Sequence, residues 1–474
     1  MKVAAYHLPS QVSGYEVETR ALGGVTLEVP RITPTLLTEV IGHLQRARER
    51  LRKRKGQEIA EILAEVFRRW QDRTDPFRQD AEAALPATTR FSPGMVAHGL
   101  DLLCEGYTAD AFDELLQGIG DEEALEGFVH LGSQLSRAYG PALITHVLAG
   151  NIPGIGLPGL IAATLLGSAS LVKTASAEPL FPALWAASVA REDPEIGECL
   201  AVLWWSGGRT DLEAVAFDRA EVVIAYGSEQ TIHELQGRIR CRFLDHGHRV
   251  SFGLIGREVL ARAEGVADRA AYDASLFDQQ GCLSPHLFYV EEGGRMSPRE
   301  FAELMGAAMA RWAGQLPPGL LTPEEAATVR RFRAGYEAQE LAGKEVALFT
   351  SPRGLDWTLI YDADPTFIPS CLHRTVLIKP VADLVEVGGL LRSWRPYLQA
   401  AGVAVIPERI GMLAGALGHA GVNRICPIGR MQAPPLTWHQ EGRSLFRDLL
   451  RWTDLEIQAI GELEWGPRHD GKTL

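Results

Sequence analysis

"ALITHVLAGNIPGIGLPGLIAATLLGSASLVKTA", residues 142–175, decides the fold. Its inner part, 147–172, carries no charge and is long enough to cross a membrane as one helix. Two prolines, five glycines and Asn151 within it make a poor continuous helix. The stretch therefore reads as a buried strand, a turn, a helix and a second strand. Apolar runs of strand length follow at "AVLWW" (201–205) and "VVIAYG" (222–227), with helix-length segments between them. That alternation predicts a parallel sheet with crossover helices.

Outward from this block, a second series begins at "VSFGLIG" (250–256). It continues through "LFYVEE" (287–292), "EVALFT" (345–350), "WTLIYD" (357–362), "TVLIKP" (375–380) and "VAVIP" (403–407). This is a second α/β unit, with a helical stretch around 299–342. Toward the N-terminus, residues 1–30 read as short strands. One helix opens with Thr33 as N-cap and Pro34 at its first position. Another sets Ile59, Ile62, Leu63, Val66, Phe67 and Trp70 on one face, and 109–138 is predicted helical.

Net charge is −13 over 474 residues, which argues against broad attraction to nucleic acid or anionic membrane. The basic run Arg46 to Lys55, "RARERLRKRK", lies in a helical pattern and reads as a solvated face rather than a binding patch. "MKVAAYHLPS" holds no apolar signal segment, and six scattered cysteines show no zinc spacing. A cytoplasmic protein with free thiols and no metal is expected.

"GIGLPG" (154–159) matches the dinucleotide pattern GxGxxG, and Glu178 lies 19 residues past its last glycine. Pro158 stands where the helix should start, which speaks against that reading. "AYGSEQTIHEL" (225–235) is a better phosphate candidate: a strand ends at Tyr226, Gly227 permits a tight turn and Ser228 can cap the next helix. An ordinary strand-to-helix turn has the same pattern. "WSGGRTD" (205–211) is a second such turn. Among the cysteines, Cys104, Cys199 and Cys241 look structural. Cys282, in "DQQGCLSPH" (278–286), sits in a polar turn that permits exposure and stabilisation of a thiolate.

Taken in order, "THVLAGNIPGIGLPGL", "SLVKTASAEPLF", "SGGRTD", "VVIAYGS", "GHRVSFGLI", "DQQGCLSPHLFYVEE" and "RICPIGRMQAPPLTWHQEGR" resemble the LuxC-type acyl-CoA reductases. These are the fatty-acid reductases of bacterial luminescence, within the aldehyde dehydrogenase superfamily. The likeness spans roughly residues 100–445. It implies an aldehyde dehydrogenase-like α/β fold in three parts. Residues 1–251 would hold N-terminal helices and a Rossmann-type cofactor domain, 252–419 the catalytic cysteine domain, and 420–474 a C-terminal return and oligomerisation segment. A homo-oligomer is expected from the superfamily.

The resemblance makes Cys282 the nucleophile, attacking an acyl thioester to give an acyl-enzyme that hydride from a nicotinamide reduces to the aldehyde. Asn151 and the backbone N–H of Cys282 would form the oxyanion hole. Lys173, with Thr174 beside it, matches a lysine that bonds the adenosine ribose. Ser176 stands where NAD-preferring relatives often carry a glutamate, so repulsion toward a 2′-phosphate is removed and NADPH is favoured over NADH. Ser206, Gly207, Gly227 and Ser228 would lie along the adenosine and pyrophosphate. "DHGHRVSFGLI" (245–255) offers His246 and His248 where hydrolytic relatives keep a glutamate that activates water. A second superfamily glutamate, for the nicotinamide ribose, is absent near Cys371. His286 is a further acid, base or orienter. The substrate would be an acyl-CoA or an acyl carrier thioester, and an acyl-protein synthetase would be a partner. Two other readings share these residues: an aldehyde oxidation that acylates CoA, and a non-reducing acyl carrier or scaffold docked to a synthetase.

Overall fold

Three short strands begin the chain, β1 (Lys2–Ala4), β2 (Val17–Leu22) and β3 (Val25–Pro30), in a sheet of order β1-β3-β2. The computed structural model describes residues 1–118, 123–132, 134–352 and 354–456; the end of the expected C-terminal segment lies outside the described residues. Helix α1 (Pro34–Leu51) starts as predicted, with Thr33 Oγ1 accepting from the Leu36 N–H at 3.1 Å. Helix α2 (Gly56–Gln71) buries Ile59, Leu63, Val66, Phe67 and Trp70 on one face, with Ile62 half-buried at its margin. Helices α3 (Pro76–Thr89), α4 (Pro93–Glu105), α5 (Ala109–Gln117) and α6 (Glu123–Glu126) complete this layer. Arg78 of α3 is fully buried and ties the layer together: it donates to the Trp70 carbonyl and to the carboxylates of Glu82 and Asp101. Within the basic run, Arg50 pairs with Glu195 at 3.0 Å and Arg54 with Asp193 at 2.8 Å, so the run docks α1 onto the next layer.

The helix expected over 109–138 stops short. After α6 the chain forms β4 (Val129–Leu131) and β5 (Gln134–Tyr139), an antiparallel pair. The partner that stabilises β5 is a strand more than 300 residues away, Arg451–Leu455, paired antiparallel to it. No local window contains that partner, which is why helical periodicity misleads here.

The stretch 142–175 forms β6 (Leu143–Val147), α7 (Leu157–Leu165) and β7 (Ala169–Lys173). Then come α8 (Phe181–Glu192), α9 (Pro194–Gly197), β8 (Leu200–Leu203), α10 (Thr210–Asp218), β9 (Val222–Tyr226), α11 (Glu229–Gln236) and β10 (Arg242–His246). The five strands are all parallel, in order β10-β9-β6-β7-β8. The order reverses between β6 and β9, so a crevice opens at their carboxyl ends, where such sheets take ligands.

The second α/β unit contains β11 (Val250–Ile255), α12 (Ala263–Ser275), β12 (Pro285–Glu291), α13 (Pro298–Gln315) and α14 (Pro323–Leu341). Capping boxes, Ser297 with Glu300 and Thr322 with Glu325, start its two long helices. β13 (Val346–Thr350), β14 (Thr358–Asp362), β15 (Thr375–Val381), α15 (Val387–Leu390), β16 (Leu398–Ala404), α16 (Pro407–Ala420) and β17 (Arg424–Pro427) follow. The sheet has order β13-β14-β15-β12-β11-β16-β17, with only β13 antiparallel to its neighbour. It therefore closes inside the segment 420–474. The last described strand, β18 (Arg451–Leu455), crosses back to β5. Among the described residues no helix is long and apolar enough to cross a membrane.

Candidate active site

Cys282 lies in the turn between α12 and β12, and the chain enters that turn under strain. Phe277, Asp278 and Gln279 have φ of 48°, 51° and 65°, a left-handed run of three non-glycine residues. A second such run, Leu372, His373 and Arg374 with φ of 66°, 53° and 56°, faces it. The two are tied side chain to backbone. Arg374 Nε donates to Asp278 Oδ1 at 2.7 Å, and Asp278 Oδ2 accepts from the Gly319 N–H at 2.9 Å. Gln279 Nε2 donates to the carbonyls of Pro285 and Thr375, and its Oε1 accepts from the Thr375 N–H at 2.8 Å. Asp278, Gln279 and Arg374 are all buried, so these bonds are shielded from competing water.

Beyond this clamp, Ser251 Oγ donates to the Cys282 carbonyl at 2.8 Å, and Asn151 Nδ2 donates to the Gln280 carbonyl at 2.9 Å. The loop after β6 and the cysteine turn are thereby joined. The Asn151 amide keeps a second N–H, while its Oδ1 is buried without a partner. Cys282 is half-buried and lines a cavity of about 410 Å³ that opens to the surface. Besides the cysteine turn, three segments wall it: Leu102 and Leu103 of α4, Ile152 to Ile155 after β6, and the loop carrying Pro434, Pro435, Leu436 and Trp438. Glu105 and Arg430 are its charged lining residues; the rest of the wall is mostly apolar.

Burial pushes the Cys282 thiol up to about 11, and the Glu441 carboxylate adds to the rise. The backbone N–H groups of Cys282 and Leu283 and the Arg249 guanidinium act in the opposite direction. Glu441 is a residue that sequence reasoning did not find. It reaches the end of β10 from the C-terminal segment, where Oε1 bonds His246 Nδ1 at 3.1 Å and Oε2 accepts from Arg249 at 2.7 Å and Arg443 at 2.9 Å. Burial acts to raise its pKa, but these bonds outweigh it and hold Glu441 below the ordinary carboxylate range. The only hint in the sequence is Glu441 itself inside "WHQEGR"; its partners His246 and Arg249 lie nearly 200 positions earlier.

The histidines take different places. His246 stacks on Tyr226, with ring centroids 4.4 Å apart, and is held by Glu441. His248 is exposed. His286 is buried inside β12, where Nδ1 accepts from the Ser370 N–H at 3.1 Å; burial lowers its pKa to about 4, so it is a neutral anchor for that loop.

The expected cofactor residues stand at the carboxyl ends of β7, β8 and β9. Lys173 ends β7, its ammonium 5.8 Å from the Trp205 ring centroid, and burial lowers its pKa. Thr174 is fully buried and bonds the Leu203 carbonyl, so it joins β7 to β8. Ser176 and Ser206 are exposed, and nothing crowds Gly207 within 4 Å of a Cβ position. Gly227 donates its N–H to the His246 carbonyl, and Ser228 Oγ caps α11 by accepting from Thr231 N–H at 3.2 Å. Open backbone at two strand ends, a helix N-terminus and a lysine together fit a dinucleotide. The GxGxxG loop does not join them. Gly154 packs on Leu103 at the cavity wall, and the Glu178 carboxylate accepts from the N–H groups of Leu180 and Phe181, buried at the start of α8.

The sequence matches the family of acyl-CoA reductases (LuxC) over residues 51–452. The long-chain acyl-protein thioester reductase of Aliivibrio fischeri is 23% identical over 389 residues, covering 78% of this chain and 76% of that protein. The enzyme of the same description from Photobacterium phosphoreum is 22% identical, covering 70% of this chain and 67% of its own. Among solved structures, aldehyde dehydrogenase KauB from Pseudomonas aeruginosa superposes with TM-score 0.74 at 13% identity over 95% of both chains. Aldehyde dehydrogenase 21 from Physcomitrella patens gives 0.73 at 14% identity, covering 96% of this chain and 98% of that one. The structural likeness is one of fold. The chain belongs to the acyl-CoA reductase (LuxC) family, oxidoreductases built here on the aldehyde dehydrogenase fold.

Proposed function

We propose that the protein reduces an acyl thioester, with a fatty acyl group, to the aldehyde through an acyl-Cys282 intermediate, using NADPH. The observation that carries this reading is the apolar cavity ending at Cys282, beside Asn151. An aliphatic chain gains about 0.8 kcal/mol for each methylene it buries, so such a wall selects long acyl groups over short ones. The curated relatives are named for acyl-protein thioesters, and the donor here is read as a thioester of CoA or of a carrier protein, supplied by an acyl-activating synthetase.

Cys282 Sγ would attack the thioester carbonyl carbon, with the free Asn151 amide N–H and the Cys282 N–H stabilising the oxyanion. The carbonyl then re-forms as the C–S bond to the carrier breaks, and the carrier leaves as its thiol with the proton given up by Cys282. Lys173, Ser176, Ser206, Gly207 and the Gly227–Ser228 turn would hold the cofactor along the strand ends. When bound, the reduced nicotinamide supplies a hydride. Water is a poor competitor for the acyl-enzyme: the Glu441 carboxylate is committed to His246, Arg249 and Arg443, and its lowered pKa makes it a weak base.

The test combines purified protein, NADPH and acyl-CoAs of increasing length, following NADPH loss, thiol release and aldehyde together. Wild type forms aldehyde, with longer chains preferred, and Cys282→Ala forms neither aldehyde nor an acyl adduct by mass spectrometry. Thiol release without NADPH loss would replace this reading with an acyl carrier.

A further inference from the structure

The N-terminal sheet is outside the part of the chain that the sequence resemblance covers, yet it abuts the cofactor edge. His7 exchanges both backbone hydrogen bonds with Val202, at 3.0 and 2.8 Å, which docks this segment along β8, the outer strand of the parallel sheet. Strand β2 then brings Arg20 over the residue after β8. Its guanidinium carbon lies 3.6 Å from the Trp204 ring centroid. Trp204 Nε1 in turn donates to Ser176 Oγ at 3.3 Å. Arg20, Trp204 and Ser176 thus form one chain of contacts across three segments.

Beside Lys173, which ends β7, Arg20 is the cation at this edge that the charge balance leaves unpaired. Lys2 and Arg31, the other cations of the N-terminal sheet, pair with Glu28 at 2.6 Å and Glu16 at 3.1 Å. Arg209, in the turn after β8, pairs with Asp211 at 2.6 Å. Arg20 is exposed and makes no ion pair among the described residues. A guanidinium lying flat on an indole is held in place while its edge N–H groups remain free, and that planar fork matches phosphate oxygens.

We propose that Arg20 reads the 2′-phosphate of NADPH, with Trp204 as the platform that holds it beside Ser176. The inference rests on the NADPH reading above and deepens it. Ser176 only removes a repulsion, whereas Arg20 supplies the attraction that makes NADPH preferred over NADH. A segment at the start of the chain therefore sets the cofactor specificity of a site built more than 150 residues later.

Calorimetric titration of wild type, Arg20→Ala and Arg20→Lys with NADPH, NADH, 2′,5′-ADP and 5′-AMP tests this without any turnover. Arg20→Ala should weaken NADPH and 2′,5′-ADP by about tenfold or more, as for a lost hydrogen bond to a charged group. NADH and 5′-AMP should change by less than about twofold, and Arg20→Lys should recover part of the 2′,5′-ADP affinity. If Arg20→Ala keeps the wild-type preference, or weakens all four ligands alike, the role of Arg20 is overturned while the NADPH reading stands. A wild type that binds NADH as tightly as NADPH overturns both.

Discussion

The turn around Cys282 and the strand ends around Ser176 are both built from loops at the edges of parallel sheets, but they are held in opposite ways. The cysteine turn is buried, left-handed over three residues, and cross-tied by Asp278, Gln279, Arg374, Ser251 and Asn151. The strand ends are exposed and short of internal bonds, with Ser206 and Gly207 open to solvent. The difference follows the chemistry proposed for each. A nucleophile has to meet a carbonyl carbon within a few tenths of an ångström, so strain at its backbone is offset by buried bonds. A cofactor's adenosine end needs only a shaped, charged surface, which open loops and one stacked arginine provide.

The most severe way to break the comparison is to remove the clamp. Asp278→Asn leaves the Arg374 guanidinium, 1% exposed, without its carboxylate. A loss of about 3–5 kcal/mol in urea unfolding is expected, as for other uncompensated buried charges. Stability unchanged within about 0.5 kcal/mol would mean that the turn keeps its shape without the pair.

Next in size is Asn151→Ala. It should lower the rate of Cys282 acylation about a hundred- to a thousandfold, the range for a lost oxyanion donor, while NADPH binding at the strand ends stays as in wild type. Equal losses in acylation and cofactor binding would show instead that the two regions are mechanically coupled.

A further test sharpens the electrostatic side. With the thiol pushed up to about 11, the thiolate is the minor form at neutral pH and its fraction grows as pH rises. Alkylation of Cys282 by iodoacetamide in the cofactor-free protein should therefore climb about tenfold per pH unit between pH 7 and 10, since only the thiolate reacts. A plateau near pH 7 would reveal a base or cation acting on the sulfur. The open edge is probed by Arg20→Ala, as described above.

Much of this was legible in the chain itself. The charge-free run 147–172 could be read as strand, turn, helix and strand because glycine and proline punctuate it locally. Thr33 and Pro34 marked a helix start, and the ordered motifs around Asn151, Lys173 and Cys282 pointed to the family. What failed was the stretch 129–139, whose strand exists because β18 pairs with it. The bond from the Thr174 side chain to the Leu203 carbonyl likewise joins two strand ends that no local pattern relates.

The sequence by itself determined the alternation of elements and the family, and it singled out Cys282 as the nucleophile proposed here, because these are carried by local periodicity and by short motifs in a fixed order. Only the tertiary structure decided what surrounds them. Glu441 meeting His246, Arg374 bracing Asp278 and Arg20 lying on Trp204 join residues roughly 100 to nearly 200 positions apart. Such pairs leave no periodic trace, since neither partner's neighbours predict the other. They become visible when the folded sheets bring their ends together.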